Sequence, residues 1–409
     1  MNVRRSAAAL AAVTALTGAA AAPAVAASPS PSASPTLPSG LYGSADPTYD
    51  GVWRQSLALL AQDTVGVKPA ARAVEWLAGQ QCSNGAWAPF RVDPVLACDA
   101  KTMVDTNSTA AAVQALAALG GHDDATDRAV TWLKSAQNKD GGWGYTATGA
   151  SDTNSTSVVI GALTAVGEKP ADVRKDGRSP YDALQRLALP CDGAGAGAGA
   201  FAFQPDKAGK LVANADATAA GVLGALGKGM VAEPGKRAEV AECEAGPKGL
   251  AANGAAHLSK ALAKDGHLMS SLPGATDQPD YGNTADAVVA LAAQGGAERA
   301  AEPLAWLEKN SAAWAEQSGP AAYAQLILAA HATGTDPRDF GGTDLVKQLN
   351  ATGPAPQTAG ESTDNASKSG SASDSDGSGV SVWWMVGVGL AAGAGIGFLI
   401  SGRNKRQQP

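Results

Sequence analysis

Aromatic residues make up only 5% of this 409-residue chain, and charged residues only 17%. A β-sandwich wants many more Val, Ile, Tyr and Phe, so their scarcity points away from one. The 45% hydrophobic content comes mostly from small side chains, alanine above all, alongside 49 glycines. Such side chains build a core where helices pack closely. Cations are also few, 31 Lys and Arg against 38 Asp and Glu. Arg4, Arg5, Arg403, Lys405 and Arg406 fall in terminal segments, and without them 26 cations face the same 38 acids. A surface that acidic repels phosphate backbones, which excludes nucleic acid as a partner. The four histidines, His122, His257, His267 and His331, lack metal-ligand spacing, and no C-x-x-C occurs. Neither a metal site nor a cofactor is expected.

Long hydrophobic runs are confined to the ends. Residues 1–26 read as a signal peptide: Arg4-Arg5, an Ala/Leu/Val run, then Ala24-Val25-Ala26 as the cleavage site. Val380 to Ile400 is free of charge, and at 1.5 Å per residue it extends about 31 Å, enough to cross a hydrocarbon core. Trp383 and Trp384 lie at its outer edge, and Arg403, Lys405 and Arg406 follow it. That order predicts a single-pass cell-membrane protein with its bulk outside and residues 401–409 as a cytoplasmic tail. Gly389, Gly393 and Gly397 form a four-residue ridge suited to a membrane partner, either a second copy or a transporter subunit. Residues 27–44 (Pro/Ser-rich) and 351–379 (Ser/Gly/Asp-rich) read as linkers, the second holding the folded part roughly 30 Å from the membrane. The folded domain is then 45–350, long for one domain unless it is a ring or barrel of repeats.

Four cysteines, Cys82, Cys98, Cys191 and Cys243, suit disulfides in an oxidising compartment. Three pairings are open. Cys82–Cys98 with Cys191–Cys243 is favoured, since each would close one loop between helical segments.

A repeat dominates the interior. Ala73-Val74-Glu75-Trp76-Leu77, Gln81, Gly85 and Trp87 align without gaps onto Ala129-Val130-Thr131-Trp132-Leu133, Gln137, Gly141 and Trp143. After each comes a hexad, Asp105-Thr106-Asn107-Ser108-Thr109-Ala110 and Asp152-Thr153-Asn154-Ser155-Thr156-Ser157. Each hexad opens a helical stripe, Thr109, Val113, Leu116, Leu119 and Thr156, Ile160, Leu163, Val166, with Gly120 and Gly167 placed to end it. Looser copies surround Asp216-Ala217-Thr218, Tyr281-Gly282-Asn283-Thr284 and Trp306-Leu307. Roughly twelve helical runs in alternating pairs are expected between Trp53 and Leu349.

The Trp-Leu…Gln…Gly-x-Trp repeat resembles those of the terpene cyclase and protein prenyltransferase superfamily. The resemblance implies an all-α fold, an α/α toroid of about six helical hairpins in inner and outer rings. It further implies that the inner helices run in one direction, so that the hexads gather at one mouth. There Asp105, Asp152 and Asp216 suit N-caps, and the extra Asn, Ser and Thr groups suit a ligand surface. The candidate ligand-binding residues are Asp105, Asn107, Ser108, Thr109, Asp152, Asn154, Ser155, Thr156, Asp216, Asn283 and Thr284.

No catalytic residue is assigned. A class II terpene cyclase uses an Asp-x-Asp-Asp acid, which His122-Asp123-Asp124 and Asp374-Ser375-Asp376 do not match. Prenyltransferase zinc ligands and the Gly-Cys-Gly-Glu-Gln thioester motif are lacking too. A glycosidase would need two carboxylates about 5–10 Å apart; Asp105 and Asp152 are the candidates, although sugar-binding aromatics near the hexads are sparse. In character the chain is similar to the α domain of transcobalamin and intrinsic factor. Tyr281-Gly282-Asn283-Thr284 resembles a Gly-Asn-Thr-Tyr-Ser-Thr segment there, with Ala285 and Asp286 in place of Tyr and Ser. That likeness implies non-catalytic capture of a corrinoid for uptake, with a separate subunit supplying the lid. The alternatives are an extracellular enzyme acting on a glycan or terpenoid, and a protein-interaction scaffold.

Overall fold

The computed structural model describes residues 37–358 except 94, 193–194, 238–242, 247–248 and 271–276. The expected signal peptide 1–26, the span 380–400 with Gly389, Gly393 and Gly397, and most of both linkers lie outside the described residues. Among the described residues no helix is long and apolar enough to cross a membrane.

Alanine and leucine favour helix, and the described residues hold thirteen of them. In chain order these begin with α1 (Gly51–Thr64), α2 (Ala71–Gly79), α3 (Thr106–Leu119), α4 (Asp123–Ser135), α5 (Thr153–Ala165) and α6 (Pro180–Leu187). Next come α7 (Ala215–Ala225), α8 (Leu250–Leu262), a hairpin of β1 (Leu268–Ser270) and β2 (Gln278–Asp280), and α9 (Tyr281–Gly295). The last are α10 (Ala301–Asn310), α11 (Ala312–Ser318), α12 (Pro320–Thr333) and α13 (Leu345–Ala351).

Six of them close a ring. Helix α1 packs on α3, α3 on α5, α5 on α7, α7 on α9, α9 on α12, and α12 back on α1. The remaining helices lie outside: α2 against α1 and α3, α4 against α3 and α5, α6 against α5 and α7, α8 against α7 and α9. The alternation matches the sequence expectation, with one difference. The fifth outer position is split between α10 and the short α11, which accounts for a thirteenth helix. Ring helices are buried nearly all round; in α3 every residue from Thr106 to Leu116 is buried. Small side chains permit that enclosure, because wide ones would force neighbouring helices apart.

The repeat residues explain why each hairpin holds its shape. Trp87 and Trp143 are fully buried, and each indole N–H donates to an outer-helix carbonyl, Leu77 at 2.8 Å and Leu133 at 2.7 Å. Gln81 and Gln137 donate across their turns to Gly85 and Gly141, and onward to Ala125 and Val173 of the following hairpin. Gly85 and Gly141 sit at φ +93° and +91°. A Cβ on Gly141 would lie 2.2 Å from the Ser179 carbonyl, so both the backbone angle and the close approach require glycine.

Threonine at the fourth position of four ring helices ties that turn to the helix start. The hydroxyls of Thr109, Thr156, Thr218 and Thr284 accept the backbone N–H of Trp87, Trp143, Phe201 and Leu268, at 2.9 to 3.0 Å. Thr109 and Thr218 donate in turn to the carbonyl of their N-cap, both at 2.6 Å, and Thr284 donates to that of Asp280. The disulfides are the favoured pair, Cys82–Cys98 and Cys191–Cys243. The first closes the α2–α3 connection, and the second joins the α6–α7 connection to the α7–α8 connection.

Thr156→Val keeps the shape and removes the hydroxyl, leaving the buried Trp143 N–H without its acceptor. Unfolding in urea should show a loss of about 1–3 kcal/mol. A variant as stable as the native protein would show that the threonine tie is incidental.

Candidate functional site

The tie at position four also decides which residues look into the ring. A helix turns about 100° per residue, so positions two and six lie on the face opposite the outward-tied threonine. Position nine follows them on the same stripe. On α3 these are Asn107, Ala111 and Gln114; on α5, Asn154, Val158 and Gly161; on α7, Asp216, Ala220 and Leu223; on α9, Gly282, Asp286 and Val289. Contacts across the ring agree. Asn154 Nδ2 donates to Asp216 Oδ2 at 2.7 Å, joining α5 to α7 at position two. Gln325 of α12 donates to both Asp286 oxygens at 3.3 Å, joining α12 to α9 at position six.

The ninth layer carries a floor. Met230 N–H donates to Gln114 Oε1 at 2.9 Å, and a Cβ on Gly161 would lie 2.7 Å from Gly229 Cα. The same segment then reaches the far side of the ring. Gly235 N–H donates to Ala292 O of α9 at 2.9 Å, and Glu233 Oε1 lies 2.8 Å from His331 Nε2 of α12. Helices α3 and α9 stand opposite each other in the ring order, so residues 229–235 cross beneath the lumen. The position-two residues stand about 10 Å above this floor, seven residues at 1.5 Å each. They ring a bowl at the helix N-termini in which Asp216, Gly282 and Asp286 keep partial contact with solvent while Ala111 and Val289 are buried.

The predicted site residues divide into two groups. Asp105 and Asp152 are the N-caps of α3 and α5, accepting Ser108 N–H at 2.6 Å and Ser155 N–H at 2.7 Å. Both are almost fully buried, at 2% and 1% exposure. The hydroxyls of Thr109, Thr156 and Thr284 are taken up by backbone, and the Ser155 hydroxyl by Asp152 at 2.8 Å. Asn107, Asn154 and Asp216 share position two and border the bowl. Asn283 stands one residue beyond that position and donates to Asp280 at 2.8 Å. The expectation that Asp216 caps its helix is corrected: Asn214 is the cap, accepting Ala217 N–H at 2.7 Å, and Asp216 is freed to face inward.

Sequence reasoning missed Asp286 and Gln325, whose spacing from position two by one helical turn was the available signal. It also missed a row of aromatics beside them. Tyr281 stacks against Trp314 with ring centres 5.5 Å apart and lies 5.0 Å from Trp306, and His267 stacks on Trp306 at 4.1 Å. These residues are distant in sequence, so no local motif announces them.

The electrostatics single out the wall of the bowl formed by α7 and α9. Asp216 is pushed up to about 7, by burial first and then by the charges of Asp286, Asp280 and Asp152; the Asn154 amide opposes the rise. Asp286 is also pushed up to about 7, by burial and the Asp280 charge, against the Gln325 hydrogen bond. Both are surrounded by ring residues yet keep partial contact with solvent. Asp105 and Asp152 rise to about 6, again through burial, opposed by their serine hydrogen bonds. Unpartnered acceptors stand close by: Asn107 Oδ1, on a residue 9% exposed, together with Asn154 Oδ1 and Asn283 Oδ1. Among the described residues no cluster suits a metal ion.

A carboxyl group raised on folding holds its proton in the native state over a range where the unfolded chain has lost it. Its contribution is therefore full below about pH 4 and disappears as pH rises through about 7. Native protein should lose more stability between pH 4.5 and 7.5 than Asp216→Asn, compared by urea unfolding at both values. Equal losses would mean that Asp216 titrates like an exposed carboxylate.

Similarity to known proteins follows the repeat. The family model for the squalene-hopene cyclase C-terminal domain matches residues 52–172, from α1 past α5. No curated protein matches the chain. Among solved structures, a protein from Actinoplanes is 15% identical, covering 74% of this chain and 96% of its own at a TM-score of 0.48. The ent-copalyl diphosphate synthase from Streptomyces platensis is 17% identical, covering 69% of this chain and 50% of its own at 0.44. A sugar epimerase from a ruminal bacterium is 15% identical, covering 66% and 80% at 0.42. Residues 52–172, which hold both strict copies of the repeat, are thus similar to the squalene-hopene cyclase C-terminal domain.

Proposed function

We propose that the chain captures a small, donor-rich polar molecule in the floored bowl, and that the expected membrane span presents this bowl outside the cell. The observation that carries the reading is the set of unpartnered acceptors, Asn107, Asn154 and Asn283, beside the carboxyl groups of Asp216 and Asp286. Unpaired acceptors in a partly desolvated site are costly to leave unfilled, and a ligand bearing N–H or O–H groups would fill them. A corrinoid, whose rim carries primary amides, is one ligand of that kind. Its case rests on the sequence likeness to corrinoid carriers and on this acceptor-rich wall.

One observation favours a second reading. Two carboxyl groups near pH 7 on neighbouring helices are suited to exchange protons with a substrate, so the bowl would also serve an acid–base enzyme. Asp123, Asp124 and the hexad aspartates play no part in that reading; Asp216 and Asp286 do.

Thermal unfolding of the full-length chain against a panel of cobalamin, polyols and amines tests both. A ligand at 100 times its Kd stabilises by about 2.7 kcal/mol, which is easily read as a rise in Tm. The rise should vanish in the Asn107→Leu, Asp286→Leu double variant if the bowl is the site. A panel in which nothing shifts the transition ends the capture reading. Turnover of a bound compound, lost in Asp286→Asn while binding persists, would replace it with the enzyme.

A further inference from the structure

The aromatic row and the acidic wall meet at a single residue. Gly282 is the second residue of α9, directly after Tyr281 and one turn before Asp286. A Cβ placed there would lie 3.6 Å from the Gln325 amide oxygen and 3.7 Å from the Trp314 ring. The missing side chain leaves a slot one methyl group wide at the rim of the bowl, and its two sides differ. One is Trp314, met at Cζ2 of its ring, part of the stack running through Tyr281 to Trp306 and His267. The other is the Gln325–Asp286 pair at position six. All four rings keep part of their surface in solvent, unlike Trp87 and Trp143 of the repeat, which have none.

On α1 the side chains that bond outward are Gln55, to Tyr42, Gly40 and Ala73, and Gln62, to Asn350. The helical turn sets Trp53 on the opposite face, and Trp53 is also partly exposed. Flat aromatic surface therefore borders the bowl beside carboxyl and amide acceptors that point inward.

Two ligand chemistries share the need for acceptors. Amines and amides need them alone, whereas a sugar ring also needs a flat apolar surface for its C–H face. A sugar carries hydroxyl donors around its edge and apolar C–H groups on its face, so it matches both sides of the slot. A cation is a poorer match. Each inner helix brings roughly half a positive charge to the mouth, and the Asp216 and Asp286 carboxyl groups, whose charged forms burial disfavours, supply less than full negative charge in return.

We infer that the bowl is a carbohydrate-binding site. A neutral sugar ring stacks on Trp314 over Gly282, and its hydroxyls donate to Gln325, Asp286 and, across the lumen, Asn154 and Asn107. The inference rests on the capture reading above and names its ligand class. Trp314 supplies the face, and Asp286 and Gln325 fix the orientation of the ring.

The test is calorimetric titration of the full-length chain with short oligomers of glucose, mannose, xylose and N-acetylglucosamine at millimolar concentration. One of the four should bind saturably. Trp314→Ala should weaken that sugar about tenfold or more, Trp314→Phe should restore most of the affinity, and Gly282→Leu, which fills the slot, should abolish binding. Trp132→Ala, on outer helix α4, should leave it unchanged. The inference falls if no sugar saturates, or if Trp314→Ala and Gly282→Leu bind the sugar as well as native protein does. A parallel cobalamin titration separates the two levels. Cobalamin binding that Asp286→Leu abolishes, with every sugar silent, overturns the carbohydrate assignment and leaves the bowl standing. If cobalamin and all sugars are silent, the carbohydrate assignment falls, and the capture reading falls with it when the amines and polyols of the thermal panel are silent too.

Discussion

The architecture depends on one repeated hydrogen bond, from the buried residue two positions past each turn glycine to a threonine hydroxyl at the fourth position of the following ring helix. An extended segment entering a helix leaves N–H groups with no intrahelical partner. Threonine answers this twice, because its oxygen accepts from the turn while its proton goes to a carbonyl. The bond fixes the height of the turn against the helix and also the rotation of the helix about its axis. Rotation matters most in a ring, since it determines which residues face outward to α2, α4, α6 and α8 and which face the lumen. Four such ties set four of the six inner helices in the same register.

That register gives the mouth its unusual electrostatics. Helix N-termini gathered on one side favour anions and would by themselves hold carboxyl groups ionised. Asp216 and Asp286 go the other way, toward about 7. Burial is the leading cause for both; the charges of Asp286, Asp280 and Asp152 add to it at Asp216, and that of Asp280 at Asp286. Desolvation outweighs the helix field here because the dipole contribution is spread over peptide groups, whereas the desolvated charge is concentrated on two oxygens. The capping aspartates show the same balance with a smaller net rise, to about 6, since each receives a serine backbone N–H directly.

Much of this was legible in the sequence where the repeat is strict. The spacing of Trp76, Gln81, Gly85 and Trp87, and its copy 56 residues on, located α2, α4 and the turns after them, and the hexads marked the first residues of α3 and α5. Both disulfide pairings were favoured as closing single loops, which holds for Cys82–Cys98, whereas Cys191–Cys243 spans α7 and joins two connections. Legibility failed where the copies diverge. Asp216 looked like a cap by analogy with Asp105 and Asp152, because a one-residue identity does not carry the two-residue shift that makes Asn214 the cap. Tyr281, Trp306 and Trp314 looked like scattered aromatics, because stacking of residues 25 to 33 positions apart is a property of the closed ring. Asp286 appeared only as a departure from a comparison segment, and its partner Gln325 sits on a helix whose start carries no hexad.

The failures share a cause. Closing the ring requires small residues between neighbours, the buried aromatic of the turn and the tie at position four, and those positions repeat. Positions two and six face neither the outer helices nor the turns, so the repeat places no packing demand on their identity. Along the ring they pass from Asn107 and Ala111 through Asn154 and Val158 to Asp216 and Ala220, then to Gly282 and Asp286. The side chains most alike between copies thus build the scaffold, and those least alike face the lumen. In a repeat ring the place to look for chemistry is therefore the stripe on which the copies disagree. Here that stripe carries the two carboxyl groups near neutrality, the amide acceptors without partners, and the glycine that opens a slot beside Trp314.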